Sequence, residues 1–456
     1  MGRDATGQSR RVAVIGAGAA GLCSAKHLLE KKITPVIFEI GTQIGGLWVY
    51  ENDSGMSPAY RSLHVNSETR VTAYKDFPFP ENGPIYPNHW QMTEYLRGYA
   101  ARFGLERHIR FRSRVSKVEP LPDGGYRLTI EGQAPERFDA VVVACGHQSA
   151  PTHPPFSRDF TGDYIHAHSY RVPEPYRDKR VVVVGVGNSA CDIAADIWTG
   201  TKSTTIAARS PVLIMPRVLF GKPISRFLAR VEKPWLPWPV RRRIREVITW
   251  AVHGRMEQWG FRTPKSKTHP SSHPSLMAHF VWNRITAKPG IAKIEGQRVT
   301  FDDGSVQEFD AMIAATGYDV SLPFLSPALN PVNGRWLDLF LRVLRPGQPG
   351  LYFVGFFNVA GGGNIRMMDD QAEWVAAIEA GEVGIPSLAE QQRGIEAERA
   401  LINANYPDRP RYGLELEPVW YRKALALAMA ASRVSPERGT KHTAVPDSTA
   451  PSRQNG

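Results

Sequence analysis

The sequence predicts an α/β protein built from two βαβ units, with the second inserted into the first. Three observations lead there. Two glycine-rich turns, Gly16-Ala-Gly18-Ala-Ala-Gly21 and Gly185-Val-Gly187-Asn-Ser-Ala190, each follow a short valine-rich run and open an apolar-periodic stretch. The segment Asp139-Ala-Val-Val-Val-Ala-Cys-Gly146 recurs in near copy as Asp310-Ala-Met-Ile-Ala-Ala-Thr-Gly-Tyr318. The chain has 456 residues, too many for one ordinary core; with 40 Gly, 36 Pro and 3 Cys it fits a globular enzyme and excludes a collagen-like, disordered or disulfide-stapled protein.

Taken in order, Arg11-Val-Ala-Val-Ile15 is a buried-type strand, followed by the first glycine turn and a helix through Leu22, Ala25, Leu28 and Leu29. A second strand, Thr34-Pro-Val-Ile-Phe38, ends in Glu39. Strand, glycine turn, helix, strand and acid together form the dinucleotide (Rossmann-like) fingerprint. Gly16 permits the tight turn, Gly18 lets backbone approach a pyrophosphate, and Gly21 allows close helix packing. The free N–H groups of the helix start, with Ala19 and Ala20, face the anion. Glu39, 18 residues after Gly21, is placed to accept from a ribose hydroxyl.

The second unit repeats this pattern from Arg180-Val-Val-Val-Val184 through Gly185, Gly187, Asn188 and Ser189, with Ala190 in the third glycine position. Its next strand, Thr204-Thr-Ile-Ala-Ala208, ends in Arg209 where an acid would stand. A guanidinium there can hold a 2′-phosphate that a carboxylate would repel, so NADP(H) is expected over NAD(H); the alternative is a plain surface cation. Two nucleotide sites in one chain imply electron transfer between two cofactors, most simply FAD at the first and NADPH at the second. The expected divisions are a first FAD-binding part at 1–169, an NADPH-binding unit at 170–295, a second FAD-binding part at 296–433, and a disordered Ser/Pro/Thr/Lys-rich tail at 434–456.

Over about residues 10–430 the sequence resembles the class B flavin-containing monooxygenases. The resemblance rests on Phe160-Thr-Gly162-Asp-Tyr-Ile-His166-Ala-His-Ser-Tyr170, which fits the FxGxxxHxxxY fingerprint. It is extended by Gly45-Gly46-Leu47-Trp48, Asp76-Phe-Pro-Phe-Pro80, the Ala315-Thr316-Gly317-Tyr318 segment, and Gln371 with Trp374. Tyr170, where Baeyer-Villiger relatives carry Trp, points to the heteroatom-oxidising branch. Such enzymes reduce FAD with NADPH and react with O2 to form a C4a-hydroperoxide, which awaits a soft nucleophile in a dry pocket. The expected activity is therefore oxygenation of nitrogen or sulfur in a small molecule. The alternatives are Baeyer-Villiger or decarboxylating oxidation by the same intermediate, and an uncoupled NADPH oxidase.

Asn66 matches the family's asparagine beside the flavin and nicotinamide, where an amide can donate and accept without changing the proton inventory; the plain alternative is a turn cap. His64, two residues earlier, shares its side if the segment is extended. His166 and Tyr170 are expected between the domains, as a link coupling domain position to cofactor binding or as structural hydrogen bonders. Thr316, Gly317 and Tyr318 are expected in a domain connection near the nicotinamide nucleotide. Gln371 is expected at a helix start, capping or contacting the flavin. Gln43, Gly46, Leu47, Trp48, His64 and Val115 complete the cofactor-binding set that the resemblance implies. The cysteines Cys23, Cys145 and Cys191 read as small buried residues, and His269, His273 and His279 lack supported metal-ligand spacing.

The formal net charge of +12 is local: from 209 to 267 there are ten Arg and four Lys against three Glu, a net of +11. This stretch also carries Trp235, Trp238, Trp250 and Trp259. It suits an anionic membrane surface, a substrate entrance or a solvated helical face; nucleic acid is disfavoured, because phosphate loops already account for both glycine motifs and no nucleic-acid fold is visible. Met1 to Arg11 is polar and lacks the roughly 7–15-residue apolar core of a secretory signal, and no apolar run reaches the roughly 18 residues of a spanning helix. A reduced, cytoplasmic protein is expected, with peripheral membrane contact through 209–267 and a homodimer as possibilities.

Overall fold

The computed structural model describes residues 10–231, 233, 235–360 and 363–431; the expected tail at 434–456 lies outside the described residues. The first unit contains β1 (Arg11–Ile15), α1 (Ala19–Glu30), β2 (Thr34–Phe38), β3 (Ile109–Arg110) and β4 (Ala140–Val143). The second contains β5 (Asp163–His166), β6 (Arg180–Val184), α2 (Asn188–Ile197), β7 (Ser203–Ala207), α3 (Trp238–His253), β8 (Ile285–Lys288) and β9 (Ala311–Ala314). The chain then returns with β10 (Leu351–Phe353) and α4 (Asn364–Glu379).

The strands form two five-stranded sheets, in the orders β10-β4-β1-β2-β3 and β8-β7-β6-β9-β5. Every pairing in both is parallel. A parallel sheet is covered on both faces, so its strands must be apolar throughout. Val12 to Val14 and Val181 to Val183 accordingly have no exposed surface. Because β10 follows the second unit yet pairs with β4, the first sheet is closed only after the insertion.

The expected boundaries at 170 and 295 are too narrow for the second sheet. Its edge strand β5 lies before 170, and β9 lies after 295. The near-repeat explains why: Asp139 Oδ2 accepts from the Arg11 N–H at 2.7 Å beside β1, and Asp310 Oδ2 accepts from the Arg180 N–H at 2.7 Å beside β6. Each copy therefore serves its own sheet. The units are joined by two crossings side by side, Ala150–Pro151 and Tyr318–Asp319, paired antiparallel.

Two further expectations need correction. Cys23 and Cys191 are buried, but Cys145 is exposed just beyond β4. Gln371 does not stand at a helix start, since α4 begins at Asn364. The acids before it serve other partners: Asp369 is buried against His27 Nε2 at 2.8 Å, and Asp370 pairs with Lys75.

Candidate functional site

Each sheet presents a glycine cradle at the end of its central strand. Gly16 has φ +108°, and a Cβ there would lie 2.8 Å from the Ala144 carbonyl oxygen. A Cβ at Gly21 would drive into the Gly16 carbonyl, so the helix packs on the turn only with glycine. Gly18 caps α1 with no side-chain hydrogen bond, leaving the first-turn N–H groups for an anion. The Gly46 Cα lies against Gly18, so the Gly46-Leu47-Trp48 turn covers the cradle. Glu39 ends β2 with its carboxylate accepting from the Ala17 and Gly41 N–H groups, both at 2.8 Å. Burial pushes this carboxyl up and the two amides hold it back.

The other first-unit candidates divide into cradle wall and support. The Ala19 carbonyl accepts from Tyr74, and Gln43 accepts from Arg97. Val115 is buried in the core beside Ile15 and Phe38. Gln371 is fully buried; its Oε1 accepts from the Gly355 N–H at 3.0 Å and its Nε2 donates to Tyr421 at 2.7 Å. Gly355 in turn packs on Ala20, so Gln371 supports the cradle from behind.

In the second cradle Gly185 has φ +122°, and a Cβ would collide with the Ala315 carbonyl. Gly187 faces open space and caps α2 without a side-chain bond. Ser189 is exposed, and Asn188 Oδ1 accepts from the Ser272 N–H at 3.0 Å. Ala190, fully buried, fits where the first cradle needs glycine. Arg209 stands exposed just after β7, its stem against Gly290. Sequence reasoning missed its neighbours: Arg262 donates to the Arg209 carbonyl and Arg409 to Ser210 Oγ, so two further guanidinium groups reach Arg209 and Ser210. Both cradles thus suit a pyrophosphate, the first with a carboxylate at the ribose position and the second with cations.

One cavity of about 2450 Å³ joins the units. Its wall includes Leu47, Trp48, His64 and Asn66 from the first unit, and Gly185 to Ser189, Arg209 and Thr316 to Tyr318 from the second. Asn66 is exposed to it, with Oδ1 accepting from Arg217 Nη2 at 2.6 Å. Thr316 to Tyr318 occupy the domain crossing, where the Gly317 carbonyl accepts from the Thr152 N–H at 3.0 Å. His166 lines the cavity with Nδ1 accepting from the His168 N–H and its ring 5.3 Å from that of Tyr318. Burial, with His153 and His168 nearby, pushes His166 down to about 4, so it is neutral at pH 7. Tyr170 is not at the cavity: it is buried against Tyr60 and Tyr176, and its hydroxyl donates to Asp196 of α2 at 2.6 Å.

The basic segment is split by orientation. Arg209, Arg217, Arg241, Arg245 and Lys267 line the cavity. The outward stripe of α3 is instead Val240, Arg243, Val247 and Trp250, and Trp235 is 78% and Phe220 88% exposed. The outward face of α3 thus mixes apolar and basic side chains. Among the described residues, no helix is long and apolar enough to cross a membrane.

Residues 9–431 match the family model "Flavin-binding monooxygenase-like". The chain belongs to that family. Flavin-containing monooxygenase 1 of Canis lupus familiaris is 30% identical over 420 residues, covering 86% of this chain and 77% of that protein. The S-allyl-L-cysteine S-oxygenase of Allium sativum superposes with a TM-score of 0.70 at 26% identity, covering 94% of this chain and 90% of that one. Cyclohexanone monooxygenase from Rhodococcus sp. Phi1 bound to NADP+ shares the fold, with a TM-score of 0.68 at 19% identity, covering 93% of this chain and 98% of that one. This flavin-binding monooxygenase thus belongs to a family of oxidoreductases that use FAD and NADPH, and it has the fold of two Rossmann-type domains.

Proposed function

We propose that this flavin monooxygenase transfers one oxygen atom of O2 to a soft nitrogen or sulfur centre of a small molecule. NADPH, H+, O2 and substrate become NADP+, oxygenated substrate and water. The observation that carries the reading is the single cavity reaching from the second cradle to Leu47, Trp48 and Asn66. Bound FAD supplies hydride acceptance and oxygen activation. The chain's residues bind and orient. The α1 N-terminus and Glu39 hold the FAD pyrophosphate and ribose, the α2 N-terminus holds that of NADPH, and Arg209 reads its 2′-phosphate. Asn66 donates to the reacting region, and His166 and Tyr170 tie the second unit in place.

The name of the Allium relative supports heteroatom oxygenation, as does tyrosine at position 170. The test is a panel of a sulfide, a tertiary amine and a cyclic ketone, with product measured against NADPH consumed. Sulfoxide or N-oxide close to stoichiometric with NADPH is expected; lactone as the main product favours Baeyer-Villiger oxidation, and peroxide alone favours an oxidase.

The outward stripe of α3 favours a second, compatible reading: contact with an anionic membrane surface. Val240, Val247 and Trp250 offer apolar surface, and Arg243 and Arg255 flank it with charge.

A further inference from the structure

Asn66 meets a donor that fixes which way its amide faces. A guanidinium donates hydrogen bonds and accepts none. The 2.6 Å contact with Arg217 therefore holds the Asn66 oxygen toward Arg217 and turns its two N–H donors away from it. Arg217 is only 7% exposed, and a buried cation requires partners to hold it. It has the Ser272 carbonyl at 3.3 Å, the Asp192 carboxylate at 3.8 Å and the face of Tyr86 at 5.7 Å.

Asp192 lies on α2, one turn beyond the second cradle, and is itself buried. One of its oxygens accepts from Tyr60 at 2.8 Å; His273 Nε2 lies 3.5 Å from the other. Burial pushes the Asp192 carboxyl up to about 6, against the pull of Arg217 and Tyr60. Burial likewise pushes His273 down to about 3, with Arg217, His279 and His64 adding to the effect. At neutral pH the cluster thus contains one buried cation, one carboxylate and a neutral His273. A continuous path runs from the cradle to the amide: Asn188 accepts from Ser272, the Ser272 carbonyl accepts from Arg217, and Arg217 donates to Asn66.

We infer that Arg217 is the positioning residue that presents the Asn66 N–H donors to the reaction site, and that Asp192 of the NADP(H)-side helix holds Arg217 in place. This rests on the reading of Asn66 given above. The arrangement makes the orientation of Asn66 depend on the second unit being docked.

The test uses FAD-loaded wild type, Arg217→Met, Arg217→Lys, Asp192→Asn and Asn66→Ala. Loss of one charge-assisted hydrogen bond corresponds to roughly tenfold. Arg217→Met should therefore raise the fraction of NADPH electrons released as H2O2 about tenfold or to saturation, while anaerobic flavin reduction by NADPH stays within about twofold. Arg217→Lys, which keeps a cationic donor, should recover most of the coupling, a rescue that a merely structural role does not predict. A crystal structure of the cofactor-free Arg217→Met protein should show Asn66 displaced, with Arg217→Lys restoring it. Should Arg217→Met fail to fold, Asp192→Asn gives the same readout with smaller amplitude. Normal coupling or an unmoved Asn66 in the Arg217 or Asp192 variants, while Asn66→Ala uncouples, overturns the positioning role alone. Normal coupling in Asn66→Ala overturns the role of Asn66 and the positioning role with it.

Discussion

Gly21 lies so close beneath Gly16 that a methyl at 21 would occupy the space of the Gly16 carbonyl, whereas Gly187 has nothing within contact distance of its own missing Cβ. These two glycines, at the third position of the first cradle and the second position of the other, therefore respond differently to alanine. Gly21→Ala should purify with most of its flavin lost, measured as the ratio of flavin to protein absorbance. Gly187→Ala should keep FAD and weaken NADPH. Full flavin occupancy in Gly21→Ala would show that the helix can retreat from the turn.

Arg209 should discriminate the coenzymes. Removing a charge-assisted contact to phosphate costs about 1.5–3 kcal/mol, so Arg209→Ala should raise KM for NADPH roughly 10–100-fold with little effect on NADH. Arg409→Ala, removing a neighbour that bonds Ser210 Oγ, should show a smaller effect of the same sign. Equal effects on both coenzymes would mean that neither arginine reads the 2′-phosphate.

His166 makes stability depend on pH. Its folded value of about 4 lies below the ordinary 6.5, so the unfolded chain binds a proton more readily. Stability from the neutral ring is complete above about 6.5 and falls as pH drops toward 4, by up to roughly 3 kcal/mol. Chemical denaturation at pH 7.5 and 5 should show this loss, and His166→Gln should reduce it. His273 contributes a loss of the same sign.

Tyr170→Phe removes one hydroxyl bond to Asp196. A destabilisation of about 1–2 kcal/mol is expected, with kcat nearly unchanged. A large fall in kcat with normal stability would place the hydroxyl in the chemistry.

The outward face of α3 is tested by sedimentation with vesicles containing phosphatidylserine. Binding should weaken at high salt and fall in Val247→Glu/Trp250→Glu. Sedimentation unaffected by those changes would remove α3 as the contact.

The parts of the site legible in sequence are those encoded locally. Gly16, Gly18 and Gly21 act on one another across a single turn, and the terminal residue of the next strand, Glu39 or Arg209, follows at a readable spacing. The Asp139 and Asp310 repeats were visible as copies, but their position in the chain concealed that the second belongs to the inserted sheet. Asn66 was reached through resemblance, whereas its partner was not. Arg217 lies 151 positions away, and in the sequence it counts as one cation among many in a basic stretch. Asp192 is hidden in the same way, inside a helix whose spacing marks it only as a position four past Asn188. Gln371 was misread because two acids ahead of an apolar run look like a helix start, while Asp369 answers a histidine from α1.

The paired crossings at Ala150–Pro151 and Tyr318–Asp319 have a mechanical consequence. With both strands leaving the first unit at one ladder, the second unit has a single pivot, like a door hung on one pin. Rotation about it breaks no sheet pairing, and displacement grows with distance from the pin. Such a turn is therefore resisted by the side-chain bonds that join the units, Tyr60 to Asp192, Arg217 to Asn66 and Arg409 to Ser210, and not by the sheets.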